Sequence, residues 1–149
     1  MQKKYFITAL LFTLFAGVAF GQKLHKSQVP SVIINNFQQQ FSNAWDVEWK
    51  LNQKIYKVEF ETGIRFYDHT IWYNESGKMI RHKEEIAKRQ LPKAVQQALS
   101  REFKGYYASD IKRITEGNKV IYSMEMKRLS EEWKINVDSN GKILSKVYD

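Results

Sequence analysis

The 149-residue chain has no cysteine, only two prolines and only three histidines. The missing cysteines exclude a disulfide framework, a thiol nucleophile and a lipid anchor behind a cleaved leader. The histidines, His25, His69 and His82, show no H-x-x-x-H or H-E-x-x-H spacing, so the sequence leads us to expect no metal centre. Its seven glycines form no phosphate-cradling loop, and no serine stands in a G-x-S-x-G context. Glu84-Glu85 and Glu131-Glu132 are neighbours in sequence and do not suggest the facing carboxylates of a glycosidase. Asp68 adjoins His69, but neighbours on a strand point to opposite faces and cannot form a dyad. Neither an enzyme nor a bound cofactor is therefore expected.

Charge excludes a further class. Lysine and arginine outnumber acids 24 to 16, but the cations are scattered among the acids in runs of two or three at most. That is a solvated basic surface, not a nucleic-acid stripe.

The chain does carry an address. Lys3 and Lys4 precede an uncharged, mostly apolar run from Tyr5 to Phe20, with small Ala19 and Gly21 at its end. This pattern predicts a signal peptide over residues 1–21, cleaved before Gln22, and no membrane span afterwards. Losing the two lysines lowers the formal net charge from +8 to +6. The expected location is periplasmic or secreted.

The remaining chain repeats itself. VPSVIINNFQQQF (29–41) aligns with LPKAVQQALSREF (91–103), YKVEF (56–60) with YSMEM (122–126), and IWYNESGKMI (71–80) with INVDSNGKIL (135–144). Each unit opens with one apolar helical stripe: Val29, Ile33, Phe37 and Phe41 in the first, Leu91, Val95, Leu99 and Phe103 in the second. Pro30 and Pro92 suit the first turn of a helix, where no amide hydrogen is needed. Alternating strands follow, near 46–51, 54–61, 65–73 and 78–83, then near 110–115, 120–127, 131–137 and 142–148. A short extra helix is expected over Lys83–Arg89, and the first strand of the second unit should be weak, with Arg113 where Trp49 stood. The expected fold is α+β: a tandem repeat of one helix plus a four-stranded antiparallel meander, helices on one face. The first unit spans 22–82 and the second 83–149, within one compact domain.

INVDSNGKIL poses a choice, because from Asn136 it reads N-x-D-x-N-G, close to half a calcium loop. The twelfth position, where calcium needs a glutamate, is Val147, and the matching stretch of the first unit has Trp72 where the loop would begin. What both units share is an Asn or Asp before x-x-G-K, the chemistry of a hairpin turn. The two units differ on the sheet face away from the helices. If His69, Ile71 and Tyr73 face inward, then Phe66, Asp68, Thr70 and Trp72 face outward, beside Lys57 and Glu59. Their counterparts Ser130, Glu132, Lys134 and Asn136 are all polar. Large aromatics on an open face make these six residues candidates for binding a partner, unless a loop or the other unit covers them.

The series V/L-P-x-x-V/I-x-x-x-F…F, V-E-W, Y-x-V-E-F, W-Y-N-x-x-G-K and L-P-x-A-V, over about 29–147, resembles the secreted PepSY-like family, also described as β-lactamase-inhibitor-like. The resemblance implies that the two sheets join into one curved sheet with helices on its convex side. It also implies a concave face that grips a protein, as in the β-lactamase inhibitory protein. The absent cysteines mean that the inhibitor's disulfide-braced loops are missing here. The expectation is an exported, non-catalytic protein that binds a protein or peptide, with inhibition of an envelope hydrolase or protease as its specific form. A small-ligand or ion sensor using Asp138 and Asn140 is the alternative.

Overall fold

The computed structural model describes residues 21–149, so the leader expected over 1–21 lies almost wholly outside the described residues. Among the described residues, nine antiparallel strands form one sheet in sequential order. They are β1 (Gln22–Leu24), β2 (Trp45–Asn52), β3 (Ile55–Thr62), β4 (Tyr67–Tyr73), β5 (Met79–Glu85), β6 (Tyr107–Glu116), β7 (Lys119–Arg128), β8 (Glu131–Asp138) and β9 (Ile143–Tyr148). Helix α1 (Ser31–Gln40) lies between β1 and β2, and α2 (Lys93–Glu102) between β5 and β6. The protein is thus mostly β. Among the described residues, no helix is long and apolar enough to cross a membrane.

Both helices pack on the same face. The stripe of α1 buries Ile33 and Phe37 over Trp49, Val58, Phe60, Ile71 and Tyr73, and the Phe37 ring meets Trp49 and Phe60 edge-on at 5.3 and 5.0 Å. The stripe of α2 buries Val95 and Leu99 over Ile111, Tyr122, Met124, Ile135 and Val137. Each fully buried aliphatic side chain contributes about 1.5–3 kcal/mol, and most of the stability lies in these two clusters. Pro30 and Pro92 are N-caps with extended ψ, one residue outside the helix and not in its first turn.

Two further expectations are corrected. Residues 83–85 belong to β5, because Lys83, Glu84 and Glu85 pair with Ile114, Arg113 and Lys112; only a single 3-10 turn, Lys88–Gln90, follows. Strand β6 is not weak: it runs for ten residues and pairs on both sides, with Ile111 entering the core and Arg113 held by Glu84. Strand β1, at the expected mature N-terminus, was not foreseen; it pairs with β2 through only three residues.

Candidate functional site

The open face is built from register. Cross-strand partners share a face, so Lys50, Lys57, Trp72 and Arg81 form one row across β2–β5, and Glu48, Glu59, Thr70 and Lys83 form the next. Among the described residues, no helix covers these rows. Trp72 is half-buried in its row, with the Arg81 guanidinium 4.9 Å above its ring. Lys57 and Lys50 both bond Glu59, at 2.8 and 2.6 Å. Burial works to raise the Glu59 carboxyl, but the hydrogen bonds and charges of the two lysines together outweigh it and hold the group below its ordinary value. Lys83, by contrast, is lowered by burial and by neighbouring Lys112 and Lys57.

Five of the six candidate residues lie on this open face as expected: Lys57, Glu59, Asp68, Thr70 and Trp72. Thr70 shares the face but is only 6% exposed, since the long side chains of Glu59 and Lys83 flank it; it offers no surface to a partner. Phe66 is not in the strand. It sits in the β3–β4 turn at φ +53°, 60% exposed, and its ring meets Trp45 edge-on at 5.2 Å.

Trp45 was missed by sequence reasoning. Strict alternation puts it on the same face as Trp49, four residues on, and therefore in the core. A bulge between Trp45 and Glu48, with Asp46 at φ +50°, sets two residues against one and turns Trp45 to the open face, opposite Glu61. The face therefore carries an exposed aromatic pair, Trp45 and Phe66. Between the row of cations and the loop ends lies a 610 Å³ hollow lined in part by Lys50, Gln53, Ile55, Lys57 and Trp72. A second, more acidic hollow of 370 Å³ runs along Asp46, Glu48, Glu61 and Asp68.

The helix side carries a different group. His69 is buried, 9% exposed, and stacks on Phe60 with ring centroids 4.9 Å apart. That is the core position expected of it. Its Nε2 faces Thr62 Oγ1 at 2.8 Å and its Nδ1 faces His82 Nε2 at 3.1 Å. Burial pushes both imidazoles below their ordinary values, with Glu84 pulling the other way. Glu84 receives Arg113 Nε and Nη2 at 2.9 and 2.8 Å.

The stretch that resembled a calcium loop is a turn. Asp138 Oδ1 accepts the backbone N–H groups of Asn140 and Lys142, and Gly141 has φ +84°. The β4–β5 turn repeats this, with Asn74 Oδ1 accepting from Ser76 and Lys78 and Gly77 at φ +81°. Asp138 is thus engaged by its own backbone.

A single antiparallel sheet with both helices packed on one face defines a two-layer α+β fold. The chain belongs to the family described as "Putative beta-lactamase-inhibitor-like, PepSY-like", which matches it over residues 20–70 and 54–145. It is similar to a putative periplasmic protein of Bacteroides eggerthii (TM-score 0.66, 14% identity, covering 80% of this chain and 88% of that one). It is also similar to a BLIP-like protein of Bacteroides fragilis (TM-score 0.63, 13% identity, 80% and 85% covered). A DUF2874 family protein of Bacteroides uniformis is a third likeness (TM-score 0.63, 16% identity, 80% and 88% covered). At these identities the likeness establishes the fold. No curated protein matches the chain closely enough to count as a relative. The periplasmic or secreted location read from the leader agrees with this extracytoplasmic family.

Proposed function

We propose that the protein is an exported, non-catalytic binding protein that takes a protein or peptide on its open sheet face. The observation that carries this reading is the open face itself, with Trp72 between Lys57 and Arg81 in one row and the exposed Trp45–Phe66 pair two rows farther along the same face. Aromatic anchors amid charged groups are the composition of a protein-recognition patch. The surface comprises Trp45, Phe66, Asp68, Trp72, Lys57 and Glu59, with Thr70 omitted. Kinship with inhibitor-like proteins supports a more specific form, the blocking of an envelope hydrolase or protease.

The arrangement also supports reading residues 22–82 and 83–149 as copies of one unit. Pro30 and Pro92 cap both helices, Asp46 and Asp110 (φ +50° and +48°) sit at both bulges, and Gly77 and Gly141 turn both final hairpins.

The test is recovery of partners from an envelope extract, using the protein and a Trp45→Ala, Phe66→Ala, Trp72→Ala triple variant. All three side chains stand away from the two cores, so the variant should stay folded by circular dichroism. Loss of a specifically recovered partner is expected. The same partner recovered equally by the folded variant would eliminate this face.

A further inference from the structure

The two apolar clusters do not merge. Between them, on the helix side of β4, β5 and β6, runs a polar seam in which His69, Glu84 and Arg113 are cross-strand partners and His82 lies one row away. A seam of imidazoles and a carboxylate between two apolar cores is costly unless its groups are engaged. The sequence signal for it is His82-x-Glu84, a spacing that puts both side chains on one face of a strand, with His69 brought opposite Glu84 by the hairpin register.

We propose that His69, His82 and Glu84 bind a divalent transition-metal ion of zinc's kind, with solvent completing a tetrahedron. The donor set of two imidazole nitrogens and one carboxylate oxygen is one that zinc takes, and imidazole disfavours calcium and magnesium. One ligand atom from each of the three residues falls within 4.8 Å of the other two. His69 Nδ1 and His82 Nε2 stand 3.1 Å apart, close to the roughly 3.3 Å edge of a tetrahedron with metal–nitrogen bonds of about 2.0–2.1 Å, while Glu84 Oε1 stands 3.9 Å from the other nitrogen of His82, Nδ1.

The surroundings are those that orient metal ligands. Thr62 holds the other nitrogen of His69, and Arg113 holds Glu84, the type of outer contact that fixes ring and carboxylate orientation. Phe60 and Phe41 wall the imidazoles, with Phe41 5.6 Å from His82 and 6.1 Å from His69. His82 and Glu84 keep side-chain exposures of 15% and 16%, which leaves an approach for the ion and a place for a water. Arg113 neutralises Glu84 before the metal arrives. An ion must therefore enter a site without net negative charge, and the affinity should fall below that of a fully anionic centre.

The ion would tie β4 to β5 where the two cores meet, on the sheet face opposite the proposed partner surface. The site and that surface can therefore fail independently.

The experiment is titration of Zn²⁺ into the untagged, chelator-dialysed exported protein by calorimetry, with Co²⁺ absorption to report coordination. One equivalent of Zn²⁺, a raised melting temperature and the intense visible bands of tetrahedral Co²⁺ are expected. His82→Asn and Glu84→Gln should each weaken binding roughly tenfold to a hundredfold while the protein stays folded. His25→Asn, on the exposed N-terminal segment, should leave it unchanged. Absence of saturable Zn²⁺ binding, or equal binding by the folded His82→Asn and Glu84→Gln variants, would overturn the assignment and leave a hydrogen-bonded histidine pair.

Discussion

Gly141 lies so close to the first turn of α2 that a β-carbon on it would stand 2.5 Å from the carbonyl oxygen of Ala94. The β8–β9 turn is thus wedged beneath the helix, and its residue also needs φ +84°. Gly141→Ala must both clash with backbone and adopt a left-handed conformation, at a combined cost of about 3 kcal/mol or more. Gly117, at φ +57° with nothing within 4 Å, supplies the control, and its alanine variant should cost only about 1 kcal/mol. Urea titrations of the two variants check this. Equal losses would mean that the turn does not rest on α2.

Asp138 and Asn74 hold equivalent turns, each through two backbone N–H groups that a single side-chain oxygen accepts. Asp138→Ala and Asn74→Ala should each cost about 1 kcal/mol. Being in separate hairpins, they should add in the double variant. Millimolar calcium should shift the melting temperature of neither the protein nor the Asp138 variant. A calcium-dependent rise lost with Asp138 would restore the ion-sensor alternative.

Much of this architecture was legible because helix and strand periodicities differ. Phe37 and Leu99 head buried stripes, and Val58, Phe60, Ile71 and Tyr73 alternate inward as the sequence indicates. What alternation cannot see is a residue added to one strand. The bulge at Asp46 reverses the face of Trp45, and the turn at Phe66 removes that residue from the strand altogether. Burial on the open face was equally hidden. Thr70 disappears because its cross-strand neighbours are long, and those neighbours are set by register. The seam of His69, His82, Glu84 and Arg113 also depends on which strands pair: β5 and β6 become partners although α2 separates them in the chain.

That β5–β6 pairing makes the sheet continuous beneath both cores, and it has a thermodynamic consequence. Ile33 of α1 and Val95 of α2 are both fully buried; they belong to separate clusters but pack on one sheet. Ile33→Ala should cost about 2–5 kcal/mol through lost burial and the cavity left behind. Val95→Ala removes fewer atoms and should cost less. Either variant should lower a single cooperative transition, seen alike by tryptophan fluorescence and far-ultraviolet dichroism. Two separated transitions in the Ile33 variant would instead define two independently folding units.

Tyr73 offers the sharpest pH test. Its side chain is fully buried, and its hydroxyl has no hydrogen-bond partner among the described residues. Burial penalises the phenolate and pushes the group from 10.0 to about 12. The unfolded chain therefore releases this proton at lower pH than the folded one, and stability must fall as pH rises from 10 towards 12. The loss attributable to Tyr73 approaches about 3 kcal/mol across that window, and none of it is felt below pH 10. Tyr73→Phe removes both the unpartnered hydroxyl and the titration. The variant should be about 1 kcal/mol more stable than the parent at neutral pH. Its advantage should then widen steadily above pH 10, because lysines and the other tyrosines titrate alike in both proteins and cancel in the difference. Urea unfolding of the pair at pH 7, 10 and 11 measures it. A difference that stays flat through this range would mean that the hydroxyl reaches water or a partner in the folded protein.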